Sequence, residues 1–103
     1  MTNRMLIIDD EQLVIDSCRR IFSDQGYEIV STTNPREGLD LATGSKFDII
    51  LVDWKMPGFD GIDVVREIDS RSPDSAVVMI SGFPNVARAT EAMKRGAMDY
   101  VPK

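Results

Sequence analysis

Residues 47–58 read FDIILVDWKMPG, an apolar run that ends on an acidic residue and is followed by a turn. The run is almost wholly apolar, as expected of a parallel strand covered on both faces. Asp53 stands where this predicted strand ends, and Pro57 with Gly58 indicates a turn directly after it. The stretch therefore predicts a buried strand that carries one carboxylate to the edge of a parallel sheet.

Three other apolar runs also end on polar side chains. The runs at 6–8, 76–80 and 100–102 are followed by Asp9 with Asp10, by Ser81 and by Lys103. The carboxyl ends of the strands in an open parallel sheet converge on one edge, where ligands bind. The sequence thus predicts that three acids, a hydroxyl and an ammonium meet in one cleft, a set that suits Mg²⁺ and a phosphoryl group.

Strand and helix patterns alternate along the whole chain. Asn34 suits the N-cap of the second helix and Pro35 suits its first turn. Parallel strands need a covering crossover, so the alternation predicts an α/β fold with a doubly wound parallel sheet. No repeat or linker divides residues 1–103, which are expected to form one domain. The predicted strands are 5–9, 27–32, 47–52, 75–80 and 98–102, and the predicted helices are 11–25, 34–44, 61–71 and 86–95.

Composition narrows the class of protein further. The formal net charge of -5, from 12 basic and 17 acidic residues, argues against direct nucleic-acid contact, which needs a basic surface. No apolar stretch approaches the ~20 residues of a membrane-spanning helix. The single Cys18 suits a reducing cytoplasm. The chain has no His, so it contains neither a histidine phosphodonor nor a His-based metal site.

Each of the candidate site residues also has an ordinary structural interpretation. Asp9 or Asp10 alone would most simply cap the first helix, and Asp53 alone could be a turn residue. Glu11, however, adds a third acid beside the pair, and crowded like charges cost stability unless a cation compensates them. The joint placement of these residues at the ends of separate strands favours a functional site.

The chain resembles the response-regulator receiver domain of two-component signalling from Met5 to Lys103. The motifs that carry the resemblance are Asp9-Asp10, DWKMPG at 53–58, Ser81-Gly82 and GAMDYVPK at 96–103. The resemblance implies a flavodoxin-like sheet of five strands in the order 2-1-3-4-5. The sequences of residues 79–83 and 91–97 also resemble those of receivers that are attached to enhancer-binding transcriptional activators.

The resemblance also implies a role for Asp53, which would accept a phosphoryl group from a phosphohistidine on a sensor histidine kinase. Mg²⁺ takes oxygen ligands and often only one or two carboxylates. Asp10 and Asp53 can supply these, with Asp9 bound directly or through water and the backbone carbonyl of Lys55 as a further ligand. Lys103 would place a positive charge on the phosphoryl oxygens and Ser81 would donate a hydrogen bond.

The resemblance further implies that phosphorylation acts as a switch. Ser81 would be drawn toward the phosphoryl group and Tyr100 would move into the space that opens, changing the outer surface. The expected partners are a sensor histidine kinase and an output domain or downstream protein, with a homodimer left open and no nucleic-acid or membrane contact. The chain is expected to catalyse only its own phosphorylation and dephosphorylation and not to be a metabolic enzyme.

The sequence departs from the family pattern at its end. Receivers continue past the lysine with a proline and a final helix, whereas this chain stops at Lys103. The expectation is a receiver domain that is truncated at its C-terminal end, with the final helix absent. The sheet face around Ile49 and Val78 would then lose part of its cover.

Three alternative functions match parts of the same sequence pattern. A phosphatase of the haloacid dehalogenase type also uses Asp, Mg²⁺ and Lys, but it needs Asp-x-Asp after the first strand, where this chain has Asp9-Asp10-Glu11. A flavodoxin would need a phosphate-binding loop rich in Ser, Thr and Gly after the first strand, and this sequence has no such loop there. A degenerate receiver that serves only as a docking module is disfavoured by the intact set of acids, but the missing end leaves this alternative open.

Overall fold

The computed structural model of this chain describes residues 3–56, 58–71, 74–81, 90–91, 93–97 and 99–102, with only the backbone at 55, 99, 100 and 102. Helices and strands alternate along most of it. They are β1 (Asn3–Ile8), α1 (Gln12–Ser23), β2 (Tyr27–Thr32), α2 (Pro35–Gly44), β3 (Ile49–Asp53), β4 (Lys55–Met56), β5 (Phe59–Asp60), α3 (Gly61–Arg71), β6 (Ala76–Ser81) and β7 (Asp99–Pro102).

The main sheet has the strand order β2-β1-β3-β6-β7, and every neighbouring pair is parallel. Counted along the sheet strands alone this is the order 2-1-3-4-5, so the predicted doubly wound fold is confirmed. β1 lies between β2 and β3, and the connections leaving β1 and β3 therefore diverge. Such a point of divergence opens a crevice at the carboxyl ends of the strands.

The two faces of the sheet are packed by different side chains of the same strands. Along β1, Leu6 and Ile8 belong to the larger apolar cluster, which also contains residues of α2 and α3. Met5 and Ile7 point to the other face and pack near Ile15 of α1. All four β1 side chains are fully buried. This alternation with a period of two explains why the strand is apolar throughout.

Several predicted boundaries were wrong by a few residues. α1 begins at Gln12 and ends at Ser23, and β3 begins at Ile49 rather than Phe47. Phe47 is apolar because it packs into the core and lies under the Arg4 guanidinium, 4.6 Å from the ring centroid, and not because it extends the strand. β6 is shifted by one residue to Ala76–Ser81. The predicted last strand 98–102 is present as β7 at Asp99–Pro102, and residue 98 lies outside the described residues.

The helix starts at α2 and α3 were predicted correctly. Asn34 caps α2 by accepting hydrogen bonds from the N–H groups of Arg36 at 2.9 Å and Glu37 at 3.2 Å. α3 spans Gly61–Arg71, as expected. Of the predicted helix 86–95, residues 90, 91, 93 and 94 are helical, and 86–89 and 92 lie outside the described residues. None of the described helices is long and apolar enough to cross a membrane.

A short hairpin follows β3 where the sequence predicted only a turn. β4 and β5 pair antiparallel, with Lys55 opposite Asp60 and Met56 opposite Phe59. Gly58, in the connection, has a φ of 78°, a left-handed conformation that favours glycine. Strands of two residues are too short to show a periodic polarity pattern, which is why the sequence did not reveal the hairpin.

An open apolar groove lies between α1 and the sheet, on the face where reduced cover was expected. It has a volume of about 650 Å³ and its lining includes Ile49, Val78, Val101 and the α1 residues Leu13 and Ile21. Leu13 is 81% exposed and Ile21 is 55% exposed. The described part of the chain therefore covers this face less completely than the face beneath α2 and α3.

The close packing of α2 on β1 can be tested at Gly38. A Cβ at this position would lie 2.7–2.8 Å from three side-chain carbons of the fully buried Ile8. We expect Gly38→Ala to lower the free energy of unfolding by about 1–3 kcal/mol, because the core must shift to accept the methyl group. Urea unfolding followed by circular dichroism measures this.

Gly44→Ala is the matched control in the same helix. Nothing lies within 4 Å of a Cβ at Gly44, so the substitution should be neutral or stabilising by up to about 1 kcal/mol. Equal unfolding midpoints for the two variants would mean that α2 does not pack on Ile8 as closely as described.

Candidate functional site

Four carboxylates gather at the carboxyl edge of the sheet. Asp9 follows β1 and Asp53 ends β3, and the two strands are paired up to Ile8 and Val52. Asp9, Asp10, Glu11 and Asp53 each offer one carboxylate oxygen, and these oxygens all lie within 4.8 Å of one another. Asp9 and Asp53 are buried, at 0% and 4% exposure, whereas Asp10 and Glu11 are exposed. The cluster thus has a buried base and an open side.

Asp9 is fixed at the junction of β1 and α1. Its N–H donates to the carbonyl of Thr32 at 3.3 Å, and its Oδ1 accepts from the N–H of Glu11 at 2.9 Å. Glu11 is the N-cap residue of α1 and makes no side-chain cap hydrogen bond. The acids before α1 therefore do not follow the usual capping pattern, in which the N-cap side chain accepts from the second or third helical N–H.

Ser81 lies on the other side of Asp53. Ser81 is the last residue of β6 and is fully buried. β6 pairs with β3, and in this pairing Asp53 lies opposite Ile80. The N–H of Trp54 donates to the carbonyl of Ile80 at 2.8 Å, which ties the residue after Asp53 to the end of β6. Asp53 is therefore flanked by the acids after β1 on one side and by a strand-end hydroxyl on the other.

The remaining predicted site residues are only partly visible. Tyr100 is described by its backbone alone and pairs with Met79, and Lys55 likewise pairs through its backbone with Asp60. Lys103 lies outside the described residues, as does the loop 82–84. The predicted roles of the Lys103 ammonium, the Tyr100 ring and the Lys55 carbonyl stay predictions.

Sequence reasoning placed Glu11 beside the acidic pair but left it out of the predicted metal ligands. The structure places its carboxylate within the same 4.8 Å cluster. The available signal was its position immediately after Asp9-Asp10, since the first residue before a helix can turn its side chain toward the preceding strand end.

The donor set suits a hard divalent cation. Opposite oxygens around an octahedral Mg²⁺ are about 4.2 Å apart, and around Ca²⁺ about 5 Å. The carboxylate oxygens, which lie within 4.8 Å of one another, therefore fit around one Ca²⁺ as they stand, and the most widely spaced of them would move closer together to bind one Mg²⁺. Every donor in the cluster is an oxygen, which disfavours zinc and other metals that prefer nitrogen or sulfur.

Comparison with known proteins decides the family. Residues 5–103 match the response regulator receiver domain. The chain belongs to this family. As a receiver domain it is a signalling switch of two-component systems that works through a phosphoaspartate, and it has the flavodoxin-like fold that the resemblance implied.

Curated relatives of this receiver domain are longer proteins. It is 33% identical over 103 residues to response regulator MprA of Mycolicibacterium vanbaalenii, which covers 100% of this chain and 45% of that protein. It is 37% identical over 101 residues to regulatory protein AtoC of Escherichia coli, covering 98% of this chain and 22% of that protein. The receiver domain thus spans less than half the length of either relative.

Solved structures of receivers superpose closely on this one. A response regulator of Burkholderia pseudomallei with a phosphorylated aspartic acid, a calcium ion and citrate has a TM-score of 0.92 at 29% identity, covering 98% of this chain and 59% of that chain. Response regulator TrrA of Thermotoga maritima, in complex with Mg²⁺-BeF, has a TM-score of 0.88 at 25% identity, covering 99% and 87%.

Metal binding by the receiver domain can be measured through Trp54, the single tryptophan, which follows Asp53 directly. We expect Mg²⁺ to change its fluorescence with a Kd in the range of about 1 μM to 10 mM, because Mg²⁺ gives up its water reluctantly. Asp10→Asn should weaken binding about tenfold or more, because it removes a charged ligand from the cluster.

Asp40→Asn is the control for the change in net charge. Asp40 is an exposed acid on α2 outside the carboxylate cluster, and its replacement should leave the Kd within twofold of the wild type. A fluorescence change that Asp10→Asn leaves intact would exclude Asp10 from the metal site.

Proposed function

We propose that Asp53 is the phosphoacceptor of this receiver domain and that Asp9, Asp10 and Asp53, with the backbone carbonyl of Lys55, hold Mg²⁺. The observation that supports this is the placement of Asp53 on the central strand. It lies between the acids that follow β1 and the Ser81 hydroxyl at the end of β6. A cation on one side and a hydrogen-bond donor on the other are the two aids that a phosphoryl group needs.

The other acids suit the metal better than the phosphoryl group. Asp9 is fully buried and already accepts from the Glu11 N–H, which limits its access to a donor molecule. Asp10 and Glu11 are exposed on the open side of the cluster. Asp53 is 4% exposed, so its carboxylate is shielded from bulk water yet lies at the edge that a phosphodonor can approach.

The proposed reaction is transfer of a phosphoryl group from a phosphohistidine on a sensor histidine kinase. The P–N bond breaks as one Asp53 oxygen forms the new O–P bond, and the imidazole leaves. Mg²⁺, when bound, neutralises charge on the phosphoryl oxygens. The Ser81 hydroxyl donates to one of those oxygens and the Lys103 ammonium would neutralise another. The same groups would later support hydrolysis, which makes the domain self-phosphorylating and self-dephosphorylating rather than a metabolic enzyme.

The consequence of phosphorylation is proposed to be a change of surface at β6 and β7. A phosphoryl group adds charge and strong acceptors beside Ser81, which is buried and can respond by moving toward it. Tyr100 lies on the neighbouring strand, paired through its backbone with Met79. Movement of its ring would carry the signal to an output domain or a downstream protein. The regulators MprA and AtoC, of which this chain matches 45% and 22%, support the proposal of an output domain by their greater length.

Other features of the proposal rest on the sequence alone. The net charge supports the absence of nucleic-acid contact by this domain, and Cys18 supports a cytoplasmic location. A homodimer and an origin in an enhancer-binding transcriptional activator also stay predictions. The docking module without phosphorylation is the competing function.

The phosphoacceptor can be identified with acetyl phosphate. In the presence of Mg²⁺ the protein should gain one phosphoryl group, detected by mass spectrometry, and borohydride reduction of the acyl phosphate should mark Asp53. Asp53→Asn should abolish the labelling, because the amide cannot form an acyl phosphate, and EDTA should suppress it.

Asp40→Asn is again the matched control and should label as the wild type does. A label on another residue would refute the assignment of Asp53. Absence of any label in folded protein with Mg²⁺ would favour the docking module.

A further inference from the structure

Gly61, the first residue of α3, lies directly against the backbone that carries Asp53. Its N–H donates to the carbonyl oxygen of Trp54 at 2.6 Å. A Cβ at this position would lie 2.7 Å from that oxygen and 2.8 Å from the Trp54 Cα, and it would come nearer still to the carbonyl oxygen of Asp53. These neighbours are backbone atoms, so no rotation of a side chain could relieve the contact.

The requirement for glycine at this position is steric rather than conformational. Among the described glycines only Gly26, Gly58 and Gly96 have a positive φ. The backbone of Gly61 is therefore one that alanine adopts readily, and alanine at an open helix position would favour the helix. The obstacle to a side chain is the approach of residues 53 and 54.

The same backbone is held from the opposite side as well. The Trp54 N–H donates to the Ile80 carbonyl at 2.8 Å, so residue 54 is fixed between the end of β6 and the start of α3. The β4–β5 hairpin then pairs Lys55 with Asp60, immediately before Gly61. Asp60 Oδ1 accepts from the N–H of Ile62 at 2.9 Å, which fixes the first turn of α3. These hydrogen bonds and the strand pairing thus connect residues 53–56 tightly to residues 59–62.

We propose that Gly61 is a positioning residue for the phosphoryl and metal site. The inference rests on the proposed function, in which Asp53 and the Lys55 carbonyl are ligands. Mg²⁺ demands near-ideal octahedral geometry at short distances, so its ligands tolerate little displacement. The close approach of Gly61 sets where the backbone of residues 53–55 lies, and with it the positions of both ligands. A side chain at 61 displaces this backbone and weakens the site.

The test compares three glycine-to-alanine variants by Mg²⁺ titration of Trp54 fluorescence, acetyl phosphate labelling rate and urea unfolding. Gly61→Ala should raise the Kd for Mg²⁺ about 10–100-fold, the usual effect of losing support for metal ligands, and slow labelling by a similar factor. Gly44→Ala, where nothing lies within 4 Å of the new Cβ, should change neither.

Gly96→Ala separates positioning from general loss of stability. Its φ is 119° and its Cβ would meet the Asp69 side chain, so the variant should be destabilised in urea. Gly96 precedes β7, on the side of the amino ends of the strands, whereas Asp53 lies at the carboxyl end of β3. Its Kd for Mg²⁺ should stay within twofold of the wild type. Equal losses of Mg²⁺ affinity in Gly96→Ala and Gly61→Ala would overturn the positioning role.

Asp60→Ala tests the same segment without adding an atom, and it decides the matter if Gly61→Ala does not fold. Loss of the hydrogen bond to Ile62 should raise the Kd several-fold, and Asp60→Asn, which keeps an acceptor oxygen, should restore most of the affinity. A Kd within twofold of the wild type for Asp60→Ala, or for folded Gly61→Ala, would refute the inference. Failure of the wild type to bind Mg²⁺ or to label Asp53 would instead refute the proposed function.

Discussion

The mutual repulsion of carboxylates at one sheet edge is the constraint on which the rest of the structure depends. Four acids offer oxygens within 4.8 Å of one another, and two of them, Asp9 and Asp53, are buried. At such separations the charges of the two buried acids repel each other by about 3–4 kcal/mol at the effective dielectric of a protein, whereas water screens the exposed Asp10 and Glu11. A fold that holds them together must gain stability elsewhere and must provide positive charge at the site. The second requirement makes the cluster a place where a cation, and the phosphoryl group that follows it, can bind.

The stability comes from the sheet itself. β1 and β3 are parallel neighbours whose apolar side chains are buried on both faces, so the strand ends that carry Asp9 and Asp53 cannot move apart without exposing the core. Gly38 lets α2 approach the side chain of Ile8, the residue before Asp9. Gly61 lets α3 approach the backbone of Asp53 and of Trp54, the residue after it. Both contacts hold the two acids in place against their mutual repulsion.

Much of this arrangement could be predicted from the sequence because it depends on patterns within single segments. Continuous apolar runs identified the buried strands, and the Asn34-Pro35 pair identified the start of α2. The meeting of Asp9 with Asp53 followed from parallel topology. The β4–β5 hairpin and the approach of Gly61 to Asp53 were not predicted. Both are contacts between backbone segments, and such contacts do not produce a pattern of polar and apolar residues in the sequence. Phe47 was wrongly assigned to β3 because it is apolar. It is buried because the loop before β3 packs beneath Arg4, and not because it belongs to the strand.

The central claim is that Asp53 accepts a phosphoryl group at a metal site formed with the acids after β1. A crystal structure of the chain grown with Mg²⁺ and beryllofluoride, a stable mimic of the phosphoryl group, tests it most directly. The account predicts beryllium bonded to an Asp53 carboxylate oxygen, with Mg²⁺ bound by Asp53 and Asp10, Asp9 beside it, and the Ser81 hydroxyl turned toward a fluoride. Beryllofluoride on another residue, or Mg²⁺ bound away from this cluster, would contradict it.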